Sequence, residues 1–358
     1  MENQWKSALG NVRKAIDALL AADSYPDRID PELLREAVRL YPLRGGKRIR
    51  PALLLWACEA VGGNPDRANY AAAAVEIYHN WTLVHDDIID CDEFRRGKPT
   101  SHVELAGKSA DRFSLSPDRA KKYGMNLAIL AGDLQQAWAM HMLLKTGDCG
   151  VSGEVVLAMA RRMQSFLGRE LISGEALDVE FEFRDELPSL QEAETMIRGK
   201  TGALLAYAAE CGGMIGLNTP DPAHPLIQAL SGFARNLGDA FQLCDDLLGV
   251  YGDVRQFGKP LCSDFREGKP TILLLEARNR FTASETEKME TLMLRTEYSE
   301  SDIQEIRRLL VSCGAKKAVE EKAAEASAEA MRNLRLLPES EARTRLEAMT
   351  SGLLARTV

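Results

Sequence analysis

The chain has 358 residues, 53 acidic and 45 basic, for a net charge of −8, and 45% of it is hydrophobic. The acidic balance argues against nonspecific nucleic-acid binding. The N-terminus, Met1-Glu2-Asn3-Gln4-Trp5-Lys6, has no apolar signal core, and no apolar run reaches the ~18 residues of a membrane span, so a cytoplasmic protein without stable membrane insertion is expected. The seven cysteines form no CxxC pair and are odd in number, which reads as reduced, mostly core thiols. No Pro/Gly/Ser-rich linker, repeat or low-complexity tract interrupts the sequence, and residues 1–358 are expected to form one large domain.

Apolar residues recur at spacings of three and four, which predicts helix nearly throughout and an all-α fold of about ten or more helices. In chain order, a basic run at Arg44–Pro51 precedes an alanine-rich helix from 71 to 74 that runs into His85-Asp86-Asp87-Ile88-Ile89-Asp90. A second basic run follows at Arg95–Pro99, and the polar stretch Ala106–Gly124 reads as a surface loop or short helix. Further on come Ser173–Asp178, the run Arg198–Gly202, and an alanine-rich helix at 203–209. Prolines at 215–225 and 338 should stop helices. Between them lie Gln242-Leu243-Cys244-Asp245-Asp246, a basic tract at 258–269, and the stripe Ile303, Ile306, Leu309, Leu310, Cys313 behind a Ser299-x-x-Asp302 capping signal.

The two aspartate clusters carry the chemistry. Asp86 and Asp90, four apart, share one helix face with Asp87 alongside, and like charges at that spacing destabilise a bare helix. Divalent cations such as Mg2+ relieve the repulsion, and because they take few protein carboxylates they usually bridge to a phosphorylated substrate. The basic runs supply arginine forks, lysine point charges and glycines that let the backbone approach an anion. Two acidic metal sites and several basic clamps suit two diphosphate groups.

The segments GGKRIRP (45–51), YHNWTLVHDDIID (78–90), RRGKPT (95–100), LAGD (130–133), KTG (200–202), FQLCDDLLGVYGD (241–253) and GKPLCSDFREGKPT (258–271) together resemble the trans-isoprenyl diphosphate synthases, also called polyprenyl synthetases. The resemblance implies an isoprenoid synthase fold, a single large helical bundle around a central cavity with the two Asp-rich motifs on facing helices. It implies a homodimer and Mg2+ as cofactor, three ions per active site. Asp86 and Asp90 would hold Mg2+ from one wall, and Asp245, with Asp246 in support, from the other. Lys47, Arg50, His79 and Arg96 would bind isopentenyl diphosphate, while Arg95, Lys200, Thr201, Gln242 and Lys259 would contact the allylic substrate. The implied reaction is ionisation, condensation and elimination, with Lys200, Thr201 and Gln242 turning oxygen dipoles toward the carbocation.

Two positions depart from the family pattern. Gly249 stands where a further aspartate of the second motif is usual, with Asp253 a turn beyond, and Glu175 stands where an amide is usual. Either another cation compensates Glu175 or it points away from the diphosphate. For product length, an ideal helix puts Thr82 nearly beneath Asp86, with Trp81 rotated from it by ~140°. In the family, however, an aromatic residue five before the first aspartate accompanies short products, which favours Trp81, with Tyr78 deeper. C15 to C20 products are expected, geranylgeranyl diphosphate foremost. The rival readings are a terpene cyclase, whose usual second metal motif is not matched, a long-chain synthase, opposed by Trp81, and a non-catalytic partner of another synthase, hinted at by Gly249 alone.

Overall fold

A computed structural model describes residues 2–252 and 261–354, so the expected substrate contact Lys259 and the carboxylate of Asp253 lie outside the described residues. The chain divides into two compact units, one from Met1–Met163, Ala208–Ile227 and Ser340–Arg345, the other from Gln164–Tyr207, Gln228–Glu339 and Leu346–Val358.

In the first unit the helices are α1 (Glu2–Ala22), α2 (Glu32–Leu43), α3 (Ile49–Ala60), α4 (Asn69–Ile89), α5 (Ser101–Phe113), α6 (Pro117–Leu144) and α7 (Gly153–Arg162). Helix α4 is central: Ala71–Ala74, Val75, Ile77 and Val84 are fully buried, and their small or branched side chains let neighbouring helices come close. A two-stranded hairpin, β1 (Phe94–Arg95) with β2 (Lys98–Pro99), follows α4. Its two-residue turn places both Arg96 (φ 53°) and Gly97 (φ 72°) at positive φ, as a type I′ hairpin demands.

The stretch 106–124 is helical, which decides against the surface loop and for the helical alternative, in helices longer than expected. It closes α5 and opens α6, and only Ser114–Ser116 lie between them. The polar composition misled because one face alone is apolar: Leu105 and Ala120 are buried where the two helices pack.

The second unit holds α8 (Gly168–Phe183), α9 (Leu190–Ile197) and most of α11 (Pro225–Tyr251); α10 (Ala203–Leu217) starts in it and ends in the first unit. Then come α12 (Ser263–Arg266), α13 (Ile272–Arg278), α14 (Ala283–Met293), α15 (Glu300–Ser312) and α16 (Ala315–Leu334), with α17 (Glu341–Leu354) last. The predicted Ser299–Asp302 cap is a full capping box, and Ser189–Glu192 and Thr282–Glu285 form two more. Helices α10 and α11 stop and start about the 215–225 prolines as predicted, with Pro225 opening α11. The motif-poor C-terminal stretch completes a core: Ile306, Leu309, Leu310 and Val319 pack with Leu243, Leu247 and Val250 of α11. Two π-helical turns, Met163–Leu167 and Arg198–Gly202, interrupt otherwise regular helices, and the second carries Lys200 and Thr201.

Candidate active site

The first aspartate motif ends α4, with Asp90 as its C-cap. Asp86 and Asp90 do lie one turn apart, the Asp90 N–H donating to the Asp86 carbonyl at 2.8 Å. Asp87, expected alongside them, faces inward and is fully buried. The Tyr41 hydroxyl from α2 donates to Asp87 Oδ2, and Arg95 Nε donates to Oδ1. Tyr41 also accepts the Ser101 N–H at 3.1 Å, which ties α2, α4 and α5 together at this point. Burial raises the Asp87 carboxyl above its usual range, and the bonds from Tyr41 and Arg95 oppose that rise.

Arg95, on the hairpin, bridges the motif, its Nη2 lying 2.8 Å from Asp86 Oδ2 while Nε holds Asp87. The adjacent Gly97 occupies a positive-φ position of the hairpin turn. A guanidinium shared by two carboxylates shows how strongly this corner attracts cations. Among the described residues no three His, Cys, Asp or Glu groups converge as a ready ligand set. Mg2+ takes one or two protein carboxylates and completes its shell with water and substrate phosphate. The hard-oxygen donors Asp86 and Asp90 fit that demand.

Beside the motif lies a cationic group. Arg50 Nη1 of α3 sits 3.1 Å from His79 Nε2 of α4. Arg50 Nε is buried and has no hydrogen-bond partner among the described residues. Burial, and then the charges of Arg50, Arg96, Arg95 and Arg48, hold His79 well below the usual imidazole range, so the ring is neutral. Arg48 is spent structurally, buried against Glu76 and Asp17. Arg96 reaches back to the Gly45 carbonyl at 3.2 Å, and Lys47 is exposed. A small cleft is lined by Tyr41, Arg44, Asn80, Leu83, Arg95, Arg96 and Lys98. Four cationic side chains, Arg44, Arg95, Arg96 and Lys98, around one cleft make a seat for a polyanion, although Arg44 is paired with Glu104 and Arg95 with Asp86 and Asp87.

On the same helix Tyr78 and Trp81 meet edge to face with centroids 4.8 Å apart, and Trp81 meets His85 at 5.9 Å. The Tyr78 hydroxyl and Trp81 Nε1 are both buried without a partner among the described residues. Thr82, which ideal helix geometry favoured, is turned to its own backbone, its hydroxyl donating to the His79 carbonyl at 2.8 Å. The LAGD segment also finds its reason here: a Cβ on Gly132 would lie 2.1 Å from His85 Nε2, so only glycine leaves room for the imidazole that reaches the Ile129 carbonyl.

The second motif is built differently. Asp246 is buried and accepts from Gln242 Nε2 at 3.2 Å and from the Ile272 N–H at 3.0 Å, anchoring the start of α13. Burial, together with the charges of Asp264 and Asp245, pushes its carboxyl up to about 7. Gln242, expected on the substrate, spends its amide on this carboxylate. Asp245 is the half-buried acid of the pair. Gly249 is buried, and its carbonyl accepts the Cys262 N–H at 2.7 Å.

Lys200 lies between Glu175 and Asp178 of α8, 3.0 and 2.7 Å away. The compensating cation left open for Glu175 is therefore Lys200 itself. Nothing local marked Tyr41, forty-six positions from Asp87, whereas Gly132 stood in the LAGD segment without a purpose.

The chain matches the polyprenyl synthetase family over residues 31–310. It is 38% identical over 277 residues to the geranylgeranyl diphosphate synthase of Sulfolobus acidocaldarius, covering 77% of this chain and 74% of that one. The crystal structure of the geranylgeranyl pyrophosphate synthetase of Pyrococcus horikoshii superposes with a TM-score of 0.83 at 35% identity, covering 98% of each chain. A geranylgeranyl pyrophosphate synthase of Corynebacterium glutamicum, complexed with isoprenyl diphosphate and magnesium, gives 0.81 at 30% identity, covering 97% of this chain and 98% of that one. By sequence and by its all-α isoprenoid synthase fold, the chain belongs to the polyprenyl synthetase family and is a prenyltransferase.

Proposed function

We propose that this prenyltransferase condenses isopentenyl diphosphate with an allylic diphosphate, using Mg2+, to give a C15–C20 all-trans product, chiefly geranylgeranyl diphosphate. The observation that carries the reading is the buried Arg50 guanidinium, with its unsatisfied Nε, beside the neutral His79 and the cationic cleft. Such a group lowers its energy by taking a diphosphate and is costly without one. The names of the Sulfolobus and Pyrococcus relatives support the C20 choice, and the packed Tyr78–Trp81 pair supports a short product.

In this reading Lys47, Arg50, His79 and Arg96 hold isopentenyl diphosphate, while Arg95, Lys200, Thr201 and Lys259 hold the allylic diphosphate. Asp86, Asp90 and Asp245, with Asp246 behind, would bind three Mg2+. Mg2+ supplies charge neutralisation for the departing pyrophosphate. The arginines and Lys200 stabilise that same charge as the allylic C–O bond breaks, and they keep both diphosphates oriented. The isopentenyl double bond then forms the new C–C bond to the allylic carbon, and the proton lost in re-forming a double bond passes to pyrophosphate. His79, being neutral, donates or accepts a hydrogen bond without adding charge.

We propose further that the chain is one polyprenyl synthetase domain, that it acts in the cytoplasm and that it works as a homodimer. The family match runs through residues of both units, and Met125, Ile129 and Leu130 stand exposed along α6. No helix of the described residues is long and apolar enough to cross a membrane.

The test is incubation of the purified protein with Mg2+, labelled isopentenyl diphosphate and, separately, dimethylallyl, geranyl and farnesyl diphosphates, followed by chromatography of the dephosphorylated products. A dominant C20 alcohol is expected. Products of C30 or longer would overturn the short-chain reading, and no elongation from folded protein would point to the non-catalytic partner.

A further inference from the structure

We infer that Glu175 is a positioning residue that holds Lys200 back from the allylic diphosphate and so weakens the grip on that substrate and on released pyrophosphate. The inference rests on the proposed role of Lys200 as an allylic-diphosphate contact. Its basis is local geometry. Lys200 Nζ lies 3.2 and 3.0 Å from the two Glu175 oxygens and 2.7 Å from Asp178 Oδ2. Glu175 and Asp178 are three apart on α8, so both carboxylates present to the same place. The three groups together carry one net negative charge, and all are sheltered, with side-chain exposures of 19, 20 and 25% for Glu175, Asp178 and Lys200.

The backbone fixes this arrangement. A Cβ on Gly174 would lie 2.3 Å from the Lys200 nitrogen, and one on Gly199 would lie 2.6 Å from the Glu170 carbonyl, so α8 and the π turn touch main chain to main chain. The ammonium is thus delivered to Glu175 by close packing rather than by the wandering of a long side chain. An arriving diphosphate competes with both carboxylates for it. A carboxylate at 175 attracts the ammonium by full charge, whereas an amide of the same size offers one dipole. The acid at this position therefore trades substrate affinity for easier release of the anion.

The test compares the wild type, Glu175→Gln, Glu175→Asp and Lys200→Ala by calorimetric titration with Mg2+-pyrophosphate and by steady-state kinetics. Glu175→Gln is expected to tighten pyrophosphate binding and to lower KM for the allylic diphosphate, each by about three- to tenfold. KM for isopentenyl diphosphate should not change. Glu175→Asp should stay near the wild type, and adding Glu175→Gln to Lys200→Ala should change nothing further. Unchanged pyrophosphate affinity in Glu175→Gln, equal shifts in both KM values, or a full effect in the Lys200→Ala background would each overturn the inference. A wild type that transfers no prenyl group strikes the functional reading instead, while the pyrophosphate titration still decides the role of Glu175.

Discussion

The two aspartate motifs look alike in sequence, yet the protein holds them by opposite means. At the end of α4, Asp86 and Asp87 are gripped by the guanidinium of Arg95, and Tyr41 secures Asp87 from below. On α11, Asp246 is held by burial, an amide and the backbone N–H that opens α13, with the charge of Asp245 adding to its cost of ionisation. The first motif thus has a guanidinium facing its carboxylates, although burial raises the Asp87 carboxyl as it does that of Asp246. In the second, Asp246 caps the start of α13, and Asp245 is the half-buried acid of the pair. An Asp-Asp pair read from sequence says nothing of this division, because it depends on which element supplies the facing group.

The comparison is broken most directly through activity. Asp86→Asn removes one charge of the proposed Mg2+ site, and kcat should fall roughly 10²–10³-fold with little change in thermal stability. A melting temperature that dropped along with kcat would mean that Asp86, too, is structural.

Next comes the pH response of the metal-free protein. Asp246 titrates at about 7 in the fold against an ordinary 3.8. Between those values the folded state keeps a proton that the unfolded chain releases, so stability falls as pH rises through that window. Asp246→Asn should remove that part of the fall. Melting curves of both proteins at pH 5 and pH 8 check it, and parallel losses in the two would show that Asp246 ionises freely.

Tyr41→Phe sharpens the account of the first motif. It takes a donor from buried Asp87 and an acceptor from the Ser101 N–H, and should cost about 1–3 kcal/mol in denaturant unfolding. An unchanged midpoint would show that Arg95 alone suffices. The smallest shift is expected in product length: Trp81→Ala opens the space beside Tyr78 and should lengthen the dominant product by one or two isoprene units. An identical product distribution would reject Trp81 as the residue that limits product length and return attention to Thr82.

Much of the site was legible because its chemistry is local. The four-residue spacing of Asp86 and Asp90, the arginines of 44–50 and 95–96, and the capping box at Ser299 each declare themselves within a turn or two of chain. The departures at Glu175 and Gly249 could be noticed but not interpreted. The first needed Lys200, delivered by two glycines that let α8 meet a π turn, whereas the bond from the Cys262 N–H uses only the Gly249 main-chain carbonyl and does not explain the missing side chain.

The sequence by itself determined helix almost everywhere, the cation-attracting clusters and the family, since periodicity, charge and motif order all act along the chain. Only the tertiary structure decided that Asp87 and Asp246 turn inward, that Gln242 serves Asp246, and that Gly132 exists for His85. Those are choices of partner. They are made by elements far apart in sequence, where burial and close packing, rather than local propensity, set which groups must pair.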